Sequence, residues 1–84
     1  MTMEPDAGYS LEVFARISGV AEETIVRYRE CGFIQPVQGG GERYDDEALR
    51  TVRRIEHLRE TCGVNDAGVR LILELLEEIE RLRR

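Results

Sequence analysis

The amino-acid sequence predicts a mostly α-helical fold of about four helices, with a short glycine-rich β wing and a long C-terminal helix. Three observations carry that expectation. Apolar residues recur at three- and four-residue spacing in four segments, the period of a helix that buries one face. Gly19, Gly32 and Gly63 fall where three of those segments stop. Pro36 and the run Gly39 to Gly41 interrupt the pattern once, and no helix interior would tolerate them. Eighty-four residues allow one small domain. A flexible N-terminal arm is expected over 1–9 and the folded domain over 10–84. With 42% hydrophobic and 35% charged residues the chain can build a core and is too apolar for a disordered tail.

Ser10 stands before a first helix over about 11–18, in which Leu11, Phe14, Ala15 and Ile17 recur at helical spacing and Gly19 supplies the stop. The second helix, about 21–31, has Thr24, Ile25 and Tyr28 on its inner side. Its cap position falls on Ala21, a poor cap, so Glu22 and Glu23 must stabilise that end through the helix dipole. Two short helices joined by a tight glycine turn form a helix-turn-helix. Residues 33–44, FIQPVQGGGERY, fit a flexible hairpin or wing. Asp45 caps a third helix over roughly 46–61, and Asn65 or Asp66 caps a fourth that runs to the last residue. In that helix Ile72, Leu75, Ile79 and Leu82 follow a 3-4-3 seam, which Val69, Leu73 and Leu76 widen. So broad an apolar arc needs cover on two sides. One edge is therefore expected on the domain and the other on a second copy, giving a homodimer. A single intramolecular core is the other arrangement open at this point.

Seventeen acids against twelve bases give a net charge of -5, the wrong sign for a chain that must neutralise many phosphates alone. All the bases are arginine. Six have an acid four residues before them: Glu12–Arg16, Glu23–Arg27, Asp46–Arg50, Asp66–Arg70, Glu77–Arg81 and Glu80–Arg84. The other six are scattered over several elements and make no basic block. Catalysis finds one histidine, His57, and two serines, Ser10 and Ser18, with no cluster at nucleophile–base spacing. Cys31 and Cys62 are expected as small buried hydrophobes; with one distant histidine they have no metal-ligand spacing. The triple glycine lacks the Lys-Ser/Thr of a phosphate loop. No enzyme, cofactor or metal is expected. The N-terminus has no secretory pattern and no stretch is long and apolar enough to span a membrane, so the cytoplasm is the expected compartment.

The run YSLEVFARISGVAEETIVRYRECGFIQP, the glycine wing ending in RYDDEALRTVRRIEHLRE, and then GVNDAGVRLILELL resemble the MerR superfamily of winged helix-turn-helix domains. The resemblance runs from Tyr9 to about Leu82. Its most specific pieces are Gly19-Val20 with Thr24, the step Tyr44-Asp45, and the turn Gly63-Val64. DNA-binding members of that superfamily carry an Arg two residues after the helix-2 Thr and another two residues before the wing Tyr, both addressed to phosphate. Here those positions are Val26 and Glu42. The resemblance leaves Thr24, Arg27, Tyr28, Arg29, Arg43 and Tyr44 as the residues a DNA-binding regulator would use.

Two branches look similar in detail. HspR-type heat-shock repressors, which bind DNA, share the G-V-N-x-A-G phrase before the last helix. CbpM chaperone modulators, whose partner is the J domain of a DnaJ-like co-chaperone, CbpA, tend to have an acid pair at the start of the second helix, an F/Y-D-D step into the third, and a leucine-rich acidic last helix. Ala21-Glu22-Glu23, Tyr44-Asp45-Asp46 and Leu75-Leu76-Glu77-Glu78-Ile79 match that pattern. The long Gly39–Gly41 wing and the Tyr28-Arg29 pair depart from it. The CbpM resemblance implies a J-domain contact through Glu22, Glu23 and Glu30 with Arg27 at the edge, and inhibition by competition with Hsp70.

Overall fold

The structure is a computed structural model that describes residues 8–39 and 41–83. Its elements in chain order are β1 (Tyr9–Ser10), α1 (Leu11–Ser18), α2 (Glu22–Glu30), β2 (Arg43–Tyr44), α3 (Asp46–Glu60) and α4 (Asp66–Leu82). The fold is the mostly helical one expected from the periodicity. The chain divides into two compact units, residues 1–53 and 54–84.

In the first unit α1 starts where Ser10 Oγ accepts a hydrogen bond from the Val13 amide at 3.3 Å. It ends at Gly19, whose own N–H bonds the Ala15 carbonyl and whose φ of 74° turns the chain so that the Val20 N–H reaches the same carbonyl at 3.2 Å. Ala21 heads α2 without a side-chain cap, as its methyl group dictates, and Glu22 and Glu23 occupy the first turn. Phe14, Val20, Ile25, Tyr28, Ile34, Tyr44, Ala48 and Val52 are buried. The Phe14 and Tyr44 rings stack at 4.8 Å between centroids. Asp45 Oδ1 accepts from the Ala48 amide at 2.9 Å and caps α3.

The strand pairing differs from a hairpin closed within 33–44. Tyr44 of β2 pairs antiparallel with Tyr9, and Arg43 with Ser10, so the N-terminal segment supplies the second strand. Within the wing a bond from the Val37 amide to the Arg43 carbonyl, 2.8 Å, links the two arms. Pro36 offers no amide and the glycines resist extended order, which leaves little of that segment able to pair with itself. Of the arm expected over 1–9, residues 1–7 lie outside the described residues, and Tyr9 forms β1. Gly8, at φ 66°, passes so close to β2 that an added Cβ would lie 2.7 Å from the Tyr44 carbonyl oxygen.

In the second unit the turn after α3 closes through the Val64 amide on the Leu58 carbonyl at 2.9 Å, with Gly63 at φ 70°. Asn65 Oδ1 caps α4 by accepting from the Gly68 amide at 2.9 Å. Arg59 pairs with Asp66 across the turn. Ile55 and Val69 are fully buried. Cys62 corrects the expectation of a buried thiol: it sits in the turn, where no helix face covers it, and is exposed, while Cys31 is half-buried.

Removing the Phe14 ring by Phe14→Ala is expected to cost about 3–5 kcal/mol in urea unfolding, because a buried ring and its stacking contact with Tyr44 are lost together. Asn65→Ala removes only a cap, and its expected cost in the same measurement is about 1 kcal/mol.

Candidate functional site

Burial of Ile25 and Tyr28 on one side of α2 turns the opposite side outward. Helical spacing places Glu23, Val26, Arg27 and Glu30 on that outer side. Glu22, Glu23 and Glu30 are exposed; Val26 and Arg27 are half-buried. The Arg27 guanidinium lies 5.2 Å from the centre of the Tyr28 ring, a cation–π contact that holds it at the edge of the face. The surface offered by α2 is thus acidic, with an apolar methyl pair among the carboxylates. Of the expected contact group, Glu23, Arg27 and Glu30 lie together on it, and Glu22 is exposed at its margin in the first turn.

Behind this face stands Glu42. Its Oε2 accepts a hydrogen bond from Arg29 Nη1 at 2.8 Å and another from the Tyr44 hydroxyl at 2.6 Å. Arg29 Nη2 also lies 3.8 Å from Glu30 Oε2. Glu42 therefore does more than set an anion where phosphate contact would be sought. It neutralises Arg29 and ties the wing to α2. Sequence spacing held no sign of this, because Arg29 and Glu42 belong to different elements and only the folded wing brings them together.

The residues expected of a DNA-binding surface are engaged inside the chain or covered. Tyr28 and Tyr44 are buried and Thr24 is half-buried. Arg27 rests on Tyr28, Arg29 is held by Glu42, and Arg43 Nη2 donates to the Gly8 carbonyl at 3.4 Å.

The charge pairs also depart from simple i,i+4 spacing. Glu12–Arg16 forms at 3.8 Å. Asp46 instead accepts from the Tyr9 hydroxyl at 2.6 Å, and Arg81 meets Glu78. Glu80–Arg84 extends outside the described residues. Arg50, Arg53, Arg54 and His57 are exposed on one face of α3. A basic stripe therefore exists where none was expected; grouping by i, i+3, i+4 and i+7, with Arg50 released from Asp46, would have found it. On α4, Leu75, Ile79 and Leu82 of the expected seam are exposed, while Ile72 is half-buried; Leu71, outside that seam, is exposed. No group of three or more metal-ligating side chains occurs among the described residues, and no helix among them is long and apolar enough to cross a membrane.

Comparison with known proteins agrees with this architecture. The profile of the MerR HTH family of regulatory proteins matches residues 9–76. The heat shock protein HspR of Streptomyces coelicolor is 30% identical over 77 residues, which cover 89% of this chain and 51% of HspR. The chain thus spans about half the length of that relative. The chaperone modulatory protein CbpM of Salmonella arizonae is 32% identical over 77 residues, covering 89% of this chain and 76% of CbpM. The CbpM of Salmonella newport matches to the same extent. No solved structure matches at comparable significance.

Burial, and then the hydrogen bond to the Glu42 carboxylate, push the Tyr44 hydroxyl from 10.0 up to about 12. Tyr9 is also raised, first by its bond to Asp46. In an alkaline ultraviolet titration Tyr44 is expected to ionise near pH 12. Its folded value lies above its unfolded one, so the stability it contributes is complete below pH 10 and is lost as pH rises towards 12. Glu42→Gln removes the charge and should bring this ionisation to lower pH; an unmoved titration would show that burial alone sets it.

Proposed function

The chain belongs to the MerR helix-turn-helix family of regulatory proteins, and from that premise we propose that it is a CbpM-like chaperone modulator, which binds the J domain of a DnaJ/CbpA-like co-chaperone in the cytoplasm. Its relatives are regulators, and the chain is not an enzyme. Similarity to CbpM and HspR supports a chaperone-modulator or HspR-type regulator.

The observation that carries the finer reading is the outer face of α2. Glu22, Glu23 and Glu30 are exposed there, and the arginine behind them is already neutralised by Glu42. A helix with that potential repels a phosphate backbone and attracts a basic helix. J domains present a basic helix to Hsp70. An acidic chain bound to it blocks the co-chaperone by occupying the surface, with no chemistry required. Val26 supplies apolar contact between the carboxylates, and Arg27 marks the edge.

The exposed edge of α4 belongs to the same proposal. Leu71, Leu75, Ile79 and Leu82 leave a row of large apolar side chains in water, and a second copy covering them makes the protein a homodimer. On this reading Leu71 joins Leu75, Ile79 and Leu82, and the half-buried Ile72 lies at the edge of the row.

The test is a paired titration against a J domain from the same source and against a mixed duplex DNA pool at low salt, where phosphate binding is strongest. Saturable J-domain binding is expected, without DNA retention. Glu22→Lys with Glu23→Lys should weaken that binding on the order of tenfold, equivalent to about 1.4 kcal/mol. Unchanged affinity would remove α2 from the interface. Sequence-selective DNA retention with a silent J domain would replace the proposal with an HspR-type DNA-binding regulator.

A further inference from the structure

Helix α3 carries Asp46 and then Arg50, Arg53 and Arg54 on its outer face, and the glutamate side of α4 carries Arg70 and then Glu74, Glu77 and Glu78. A shift of 24 residues carries positions 46, 50, 53 and 54 onto 70, 74, 77 and 78, and at each the sign of the charge reverses. The same shift places His57 on Arg81, the position on this face without an opposite charge. All of these side chains are exposed. The side chains of Arg50, Arg53, Arg54, Glu74 and Glu77 have no hydrogen bond or ion pair among the described residues, while Arg70 is engaged within the chain, Glu78 meets Arg81 and Asp46 meets Tyr9.

We propose that two copies of this chain associate through these complementary faces, the arginine face of α3 in one copy lying against the glutamate face of α4 in the other. The contact is argued helix to helix. Each face lies on one continuous helix, so the placement of its charges follows from 3.6 residues per turn and a rise of about 1.5 Å per residue. The matched positions extend over about 12 Å of each helix.

A second copy fits the arginine face better than a polyanion does. Asp46 stands at the head of the stripe and the whole chain carries a charge of -5, so a long run of phosphates would meet repulsion beyond the arginines. A partner helix avoids it only if cations face Asp46 and anions face the arginines. Arg70 and the glutamates that follow it have that order. Exposed ion pairs contribute modestly one by one, so the charges select the register. The exposed row Leu71, Leu75, Ile79 and Leu82 borders the glutamates on α4 and supplies apolar area to bury. This contact does not depend on the J-domain reading; it gives the self-association proposed above a polar determinant that an α4-only seam lacks.

The experiment is charge exchange followed by sedimentation velocity, with circular dichroism to check that each variant is folded. One variant carries Arg50→Glu, Arg53→Glu and Arg54→Glu; the other carries Glu74→Arg, Glu77→Arg and Glu78→Arg. Each alone should self-associate at least about tenfold more weakly than the original chain, since three attractions become repulsions. An equimolar mixture should recover association, because the reversed α3 of one then faces the reversed α4 of the other. Association of either variant alone at the original strength, failure of the mixture to recover, or an original chain that stays monomeric at its highest soluble concentration would overturn the pairing. Leu75→Glu separates the two contacts: if it dissolves the dimer and neither charge variant does, the α4 seam stands and the charge pairing does not. Loss of DNA retention in the arginine variant with unchanged self-association would also overturn it, in favour of a nucleic-acid surface.

Discussion

The burial of Tyr44 is the constraint on which the first unit depends. Its backbone pairs with Tyr9, its ring stacks on Phe14 of α1, and its hydroxyl reaches the Glu42 carboxylate that also holds Arg29 of α2. One residue thus joins the N-terminal strand, both helices of the helix-turn-helix and the wing. A buried phenol needs a partner for its O–H. Glu42 meets that need, and Arg29 offsets the cost of bringing a carboxylate to a half-covered position. The three groups act as a unit: removing the carboxylate would leave the phenol without its acceptor and the guanidinium without its counter-charge.

This local requirement shapes the surface proposed for partner binding. A guanidinium bound to an internal carboxylate has less capacity to neutralise an external phosphate. With Arg29 occupied, the outward potential of α2 is set by Glu22, Glu23 and Glu30, which face solvent beside Val26. The carboxylates at the head of the helix have a further reason to be there, since Ala21 offers no cap and the dipole favours anions. Helix stability and partner choice therefore favour the same residues. The difference between them lies in Glu30, which stands at the far end of α2, where the dipole disfavours an anion and no capping benefit is available. Arg29 lies 3.8 Å from its carboxylate and offsets that cost in part.

Helical periodicity makes most of the fold legible in the sequence. The limits of α1, the cap at Asp45 and the glycine stops follow from side chains that act within one turn of themselves. The β1–β2 pairing was not legible, because Tyr9 and Tyr44 are joined across the sequence and each strand is only two residues long. The acids of α2 were visible as a group, since they share one helix. The Glu42 clamp was hidden for the opposite reason: its partners lie on another element, and the carboxylate read in isolation looks only repulsive. Cys62 illustrates a third limit. Spacing continued the apolar register of α3 into the following turn, where the helix that would have buried the thiol has already ended.

Net charge describes this molecule poorly, because the signs are sorted by helix. The outer side of α2 is acidic, the outer side of α3 is basic from Arg50 to His57, and α4 sets glutamates beside an apolar edge. Screening weakens interactions between exposed charges over about 8–10 Å at moderate salt, roughly the length of two helical turns. A partner approaching one face therefore responds chiefly to that face and little to the total of -5. Separate surfaces of opposite sign can then serve separate encounters. An acidic α2 repels a phosphate backbone that comes near it, and an arginine stripe bounded by Asp46 favours a short, ordered set of carboxylates over an extended polyanion. Any specificity these helices carry depends on where each sign ends as much as on where it is strongest.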